Sequence, residues 1–284
     1  FYKRHKGQVW SLFEYDNTLF CGHDSGTFII NEGVAKPIFS HSGTWKFEKV
    51  PNRDNFLLQG NYYGISILEK VNNQWVYRNK IKGFDYSSRY FQITKALDVY
   101  VSHEYKGIFG FNLNNALTTA TDFKAYTLPK KGKNASLTIF NGNIYYASNE
   151  GIFKLNSKTK QFQKDKILSK VFEKDDYTSG KMIVDASNKI WMFSKNYIHY
   201  FSASKLSNEL KENNIPIPAS LTNSLLGYEN ITQLSKFLYL IGTTDGYYTI
   251  NINELTFKKY DVTITNISNG KLNQELKNCS INNY

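Results

Sequence analysis

The chain has 284 residues, 41% of them hydrophobic and 21% charged, which allows a large buried core and excludes a disordered or low-complexity chain. Aromatic residues reach 16%, led by 21 Tyr and 20 Phe, a bias that suits half-buried strands. The formal net charge is +11, yet all but four of the 35 basic residues are lysines scattered among asparagines, with no dense basic helix or tail, which argues against a nucleic-acid surface.

From the N-terminus, an apolar run at Val9–Phe13 precedes Leu19–Asn31 (LFCGHDSGTFIIN). That phrase reads apolar strand, small residue, short polar turn, glycine, apolar strand, polar residue. It returns at Leu57–Glu69, Val99–Asn112, Ile144–Asn156, Ile190–Ser202 and Leu238–Asn251. The turn position is Gly26, Gly64, Gly107 and Gly151, then Asn196 in place of glycine, then Gly246, at spacings of 38, 43, 44, 45 and 50 residues. Gly and Asn accept the positive φ of a tight hairpin turn. Repeats of about 40–50 residues are the signature of propeller blades.

Further apolar runs at Trp45–Val50, Tyr90–Ile93, Leu137–Phe140, Met182–Val184 and Ile231–Leu234 predict the first strand of each later unit. Weaker runs at Pro37–Phe39, Trp75–Tyr77, Ala125–Leu128, Gln161–Gln163 and Phe257–Tyr260 predict a fourth, outer strand. In the fifth unit the outer strand is expected at Asn214–Ala219, where Pro216 and Pro218 suit only an edge. Ala203–Asn213, with Leu206 and Leu210 at helical spacing, predicts a short surface helix. The expected fold is all-β, a β-propeller of four-stranded antiparallel blades over residues 1–260, with six repeats visible and a seventh open to upstream sequence. A β-sandwich would not repeat one glycine-marked hairpin six times in phase.

Residues 261–284 lack the blade phrase and read as the opening of a following β domain, cut short. The chain opens mid-phrase with FYKRHKGQVW and no Met, as an excised or processed piece of a longer protein would. Of its two cysteines, Cys21 falls inside a predicted strand, where a buried, inert thiol is expected, and pairing with the distant Cys279 has little support.

By blade register the hairpin turns at 23–25, 61–63, 103–106, 148–150, 194–196 and 243–245 share one face with the blade-linking loops near 85–89, 130–133 and 175–177. A cleft there would combine aromatic platforms and cations: Tyr62, Tyr86, Arg89, His103, Tyr105 and Lys131 are the candidate ligand-binding residues. Aromatic faces stack on sugar rings, and Lys or Arg suit acidic or sulfated sugars. Enzyme signals are weak. No GxSxG, HExxH, P-loop or GxGxxG occurs, and the pairs His23-Asp24 and His103-Glu104 sit on turns of different units. No metal and no cofactor are expected.

Asp185–Ser194 (DASNKIWMFS) is similar to a "D-x-x-G-x-ΦW-Φ-G-T" phrase, with Asn188 and Ser194 where glycines are frequent, and Tyr228–Gly246 looks like a last blade. With the order of elements, these segments resemble the periplasmic sensor regions of Bacteroidetes-type two-component and three-tyrosine-motif transcriptional regulators. The resemblance implies a propeller over 1–260, followed by the opening of an Ig-like three-tyrosine module at 261–284. It further implies a non-catalytic extracytoplasmic sensor whose ligand is an oligosaccharide or a partner protein. Nucleic acid would be touched only by a distant output domain, the membrane only through segments downstream, and the full-length protein is expected to be a homodimer. A protein-interaction scaffold is the alternative, with a polysaccharide lyase or hydrolase behind it.

Overall fold

A computed structural model describes residues 7–172, 176–203, 210–217, 226–255, 268–269 and 274–275. Two compact units divide the chain, Phe1–Ile250 and Asn251–Tyr284.

The first unit is a β-propeller of six antiparallel blades in a ring. Blade 1 is β1 (Val9–Tyr15), β2 (Thr18–His23), β3 (Gly26–Asn31) and β4 (Val34–Phe39). Blade 2 is β5 (Thr44–Lys49), β6 (Phe56–Asn61), β7 (Gly64–Val71) and β8 (Gln74–Lys80). Blade 3 is β9 (Tyr90–Ile93), β10 (Asp98–His103), β11 (Gly107–Leu113) and β12 (Ala120–Tyr126). Blade 4 is β13 (Ser136–Phe140), β14 (Asn143–Ser148), β15 (Gly151–Asn156) and β16 (Gln161–Lys164). A short 3-10 turn, Leu168–Phe172, leads to blade 5: β17 (Tyr177–Val184), β18 (Ile190–Ser194), β19 (Tyr197–Ala203) and β20 (Leu210–Pro216). Blade 6 contributes β21 (Ile231–Gln233), β22 (Leu238–Thr243) and β23 (Gly246–Asn251) among the described residues. Its predicted outer strand, Phe257–Tyr260, lies outside them.

Every sheet is a simple meander, so the first strand of each blade lies nearest the axis and the fourth at the rim. The two middle strands are covered on both faces, which explains their continuous apolar runs. In β6 and β7, for example, Leu57, Leu58, Ile65, Ile67 and Leu68 are fully buried. Neighbouring sheets pack face to face through shared clusters. Phe20 of blade 1 meets Phe47, Leu57 and Trp75 of blade 2. Ile65 and Ile67 of blade 2 meet Val99, Val101 and Phe109 of blade 3. Tyr100 and Ile108 join Leu137 and Tyr146, and Tyr145 and Ile152 join Met192 and Phe201. Each such side chain contributes roughly 1.5–3 kcal/mol by leaving water.

Blades 5 and 6 are joined by the segment that carries the D…W phrase. The Asp185 carboxylate accepts from the Lys189 amide (2.9 Å), Trp191 Nε1 (2.9 Å) and the Tyr239 hydroxyl (2.8 Å). Trp191 and Tyr239 are fully buried, with ring centres 4.6 Å apart. Asn188, where glycine is frequent in the phrase, has φ +57°, the left-handed conformation that Asn tolerates. The phrase is thus a structural clamp.

The turn glycines begin the third strand of their blades, each with positive φ. At Gly26 (φ +142°) an added Cβ would lie 1.9 Å from the Phe39 carbonyl oxygen, so no side chain fits. Asn196 departs from the expectation. It has no positive φ, and the pairing Phe193↔Ile198 places Tyr197, not Asn196, at the glycine's position. The expected helix at Ala203–Asn213 is also corrected. Ala203 belongs to β19 and Leu210–Asn213 to β20, pairing from Ala203↔Leu210 onward, while 204–209 lie outside the described residues. Cross-strand hydrogen bonds outweigh a two-leucine helical spacing. The outer strand of blade 3 runs over Ala120–Tyr126, earlier than Ala125–Leu128, because an exposed rim strand carries little apolar pattern.

The second unit contains a two-stranded hairpin, β24 (Ser268–Asn269) with β25 (Gln274–Glu275). The rest of the expected module at 261–284 lies outside the described residues.

Candidate functional site

The meander brings the turns between second and third strands to the same face as the blade-linking loops. The amide of Tyr62 donates to the Gly43 carbonyl (3.0 Å), that of Ser88 to Asn61 (3.0 Å) and that of Lys195 to Asp176 (3.1 Å). These bonds lock each hairpin turn to the chain entering or leaving its blade, which gives loops on this face a fixed geometry.

On that face, between blades 2, 3 and 4, lies a cavity of about 370 Å³. Arg89, His103 and Tyr105, three of the six predicted residues, line it together with Trp45, Tyr90 and Asn134. Tyr105 is 71% exposed at the tip of the β10–β11 turn. Lys131 braces this turn by donating to the Tyr105 carbonyl (2.8 Å). Burial, with Lys106 adding to it, lowers the His103 pKa below the ordinary histidine value. The imidazole is therefore neutral at pH 7, and its Nδ1 accepts the Tyr105 amide (3.2 Å), which leaves the proton on Nε2 as a donor.

Tyr86 and Tyr62 take different places. Tyr86 stacks on Phe109, with ring centres 4.5 Å apart and planes 17° apart, and Lys106 stands 5.2 Å from its ring, so packing occupies it. Tyr62 lies against Trp45 (4.7 Å), and its hydroxyl accepts from Trp10 Nε1 (2.7 Å). Burial raises the Tyr62 pKa. Trp10 in turn packs on Trp45 (4.6 Å) and Tyr228 (6.1 Å).

Arg89 is the hub between these groups. Its guanidinium carbon lies 4.0 Å from the Tyr228 ring centre, 4.9 Å from Tyr90 and 5.8 Å from Trp45. Its Nη2 donates to the Gly227 carbonyl (2.9 Å), as does the Tyr90 hydroxyl (2.7 Å). Burial pushes the Tyr90 hydroxyl up to about 12. Trp45 and Tyr90 line the same cavity and Tyr228 packs on Arg89, and the sequence reading singled out none of the three. They stand at the starts of inner strands or just before them, where a large aromatic residue is indistinguishable by pattern from core.

The other predicted chemistry resolves as structure. His23 is 4% exposed, and its Nδ1 contacts Asp24 (2.7 Å) and Ser25 Oγ (2.8 Å) within its own turn. Cys21 is a buried free thiol whose pKa burial raises. A second cavity, of about 230 Å³, lies between blades 5 and 6 beside Lys195, Asn230 and Tyr248, away from all six predicted residues.

Comparison with family models finds no match, and comparison with curated proteins finds none. Solved structures similar to the chain come from proteins of diverse role. The extracellular domain of the putative hybrid two-component system BT4673 from B. thetaiotaomicron matches at 16% identity and TM-score 0.62, over 90% of this chain and 37% of that one. PorZ, a surface component of the type-IX secretion system of Porphyromonas gingivalis, matches at 13% identity and TM-score 0.57, over 90% and 33%. Virginiamycin B lyase from Staphylococcus aureus matches at 12% identity and TM-score 0.57, over 93% and 87%. This chain spans little more than a third of the BT4673 domain. At these identities the likeness establishes the fold.

Proposed function

We propose that the chain is the non-catalytic propeller of an extracytoplasmic sensor, and that it binds a saccharide-class ligand in the face cavity lined by Arg89, His103 and Tyr105. One observation carries the reading: a largely exposed aromatic ring, a neutral histidine donor and an arginine converge on one cavity held by rigid turns. Sugars are recognised by stacking on an aromatic face together with a few fixed hydrogen-bonding groups. The periplasmic location, a downstream three-tyrosine module and a homodimeric full-length receptor follow from the family resemblance. The likeness to the extracellular domain of a two-component system supports that assignment. Binding would favour one state of the receptor over another and so bias the output domain.

Calorimetry against neutral and acidic oligosaccharides tests the reading. A ligand should be found whose affinity drops roughly tenfold in Tyr105→Ala, the equivalent of about 1.4 kcal/mol for one lost stacking platform. Equal affinity in both proteins would remove the face cavity as the site. Turnover of the bound saccharide would favour the lyase reading instead.

A further inference from the structure

The axis of the ring carries a cation that neither the packing nor the face cavity uses. Ser11, Lys46, Gln92, Thr138 and Lys181, one from the first strand of each of five blades, line a cavity of about 200 Å³ whose remaining wall includes Arg89, Tyr90 and Tyr228. Three of these residues bear positive charge, and they are not equally compensated.

Lys46 forms an ion pair with Glu48 (2.5 Å) and donates to the Phe91 carbonyl (3.2 Å). Arg89 donates to the Gly227 carbonyl and lies over Tyr228. Lys181 is different. Its Nζ stands 5.4 Å from the centre of the Tyr90 ring, and among the described residues it has no hydrogen-bond acceptor and no ion-pair partner. Lys181 is half-buried, and an ammonium drawn partly out of water without a partner is disfavoured unless something fills the gap.

The carboxylate that acts on Lys181 from outside its strand is Glu229, just ahead of β21. Its Oε2 is committed to the Gly227 amide (2.8 Å), and Oε1 is buried without a partner. Burial also raises the Glu229 pKa, which weakens it as a counter-ion. Charges around the cavity are therefore Lys46, Arg89 and Lys181 against Glu48 and Glu229, an excess of one positive charge with both carboxylates ionised. Burial, then Lys46 and Arg89, lower the Lys181 pKa to about 8, so at pH 7 the ammonium still carries its proton.

We propose that the axial cavity is a binding site for one oxyanion, the carboxylate or sulfate group of a small acidic ligand, held by Lys181 and Arg89, which both line the cavity beside the Tyr90 ring. Tyr90 and Tyr228 offer apolar faces beside the two cations, so the acidic group of a uronic acid or a sulfated sugar fits the chemistry, as does a free inorganic anion. Apart from Trp45, Arg89 and Tyr90, this lining is separate from that of the face cavity, so the inference does not need the sensor reading.

The test is calorimetry and thermal unfolding of the whole chain with sodium sulfate, sodium glucuronate and glucose, at constant ionic strength set with chloride. Sulfate or glucuronate should bind at pH 7 and raise the melting temperature, and glucose should not. Lys181→Met should weaken that binding at least tenfold, whereas Lys36→Met on the exposed strand β4 should not. In the unmodified chain, affinity should fall about tenfold per pH unit well above pH 8, as the ammonium loses the proton that binding requires. Binding by sulfate alone would identify a free inorganic anion as the occupant, and binding by glucuronate an acidic sugar. Absence of binding by either anion, or binding that survives Lys181→Met, would overturn the proposal. Should Lys181→Met fail to fold, unchanged affinity of the unmodified chain between pH 7 and 9.5 would overturn it equally. Tyr105→Ala separates the two sites: it should leave sulfate binding intact whether or not the face cavity takes a saccharide.

Discussion

Replacing Asp185 with alanine probes the joint between blades 5 and 6. The carboxylate is 4% exposed and accepts from a backbone amide, an indole N–H and a tyrosine hydroxyl, with Lys189 Nζ 3.7 Å away. The variant leaves Trp191 Nε1 buried without an acceptor, which by itself costs about 1–3 kcal/mol. It also removes the counter-charge of a partly buried lysine, and breaking such a pair brings the total to about 3–5 kcal/mol. For a chain of this size each kcal/mol moves the melting temperature by about 2–4 °C, so a fall of roughly 10 °C is expected. Urea unfolding gives the free energy, and a double-mutant cycle with Tyr239→Phe gives the coupling, expected to exceed about 1 kcal/mol. Tyr239 supplies an independent readout. Burial and the Asp185 carboxylate hold its hydroxyl pKa above the ordinary tyrosine value, so ultraviolet titration should show it titrating lower in Asp185→Ala. A loss below about 1 kcal/mol with no change in Tyr239 would refute the clamp.

Three further outcomes follow from the same geometry. Gly26→Ala should destabilise the propeller by more than about 2 kcal/mol in urea unfolding, since the new Cβ collides with the Phe39 carbonyl and φ is positive. Lys181→Met should raise the stability of the ligand-free chain at pH 7, because an unpaired charge leaves a desolvated site. The sign with pH is set by a folded pKa of about 8, below the ordinary lysine value of 10.5. Between these values the unfolded chain binds more protons, so Lys181's contribution to stability rises with pH across that window. The difference in unfolding free energy between Lys181→Met and the unmodified chain should accordingly shrink from pH 8 to 10.5, and a constant difference would contradict the assignment.

The architecture was legible because the turn glycine answers a steric demand that few residues meet. Gly26, Gly64, Gly107, Gly151 and Gly246 all open third strands, and the period they set is the blade. Blade 5 shows the limit of that signal. A two-residue turn, Lys195-Asn196, closes there without glycine, so the most similar residue type drew attention one position too early. Rim strands were located poorly for a physical reason. Ala120–Tyr126 and Leu210–Pro216 are mostly exposed or half-exposed, and pairing along one edge holds them more than an apolar face does.

The site divides in the same way. Arg89, His103 and Tyr105 could be placed together from sequence because turn residues of a known register must share a face, and the three line one cavity. Tyr86 could not be told from a platform by sequence, since only its stack on Phe109 shows that packing occupies it. The axial cations were missed because Lys46 and Lys181 sit in strands whose apolar neighbours dominate the pattern. A signal was present: the first strands of five successive blades carry Ser11, Lys46, Gln92, Thr138 and Lys181, a polar side chain in each strand nearest the axis. Such residues face the central channel and not a neighbouring sheet.

Amide hydrogen exchange, with and without a saccharide found by calorimetry, locates the ligand on the ring most directly. Binding in the face cavity predicts slowed exchange in the segments 84–89, 103–107 and 130–135. Protection confined to the opposite-face turns at 16–17, 72–73 and 141–142 would contradict the account.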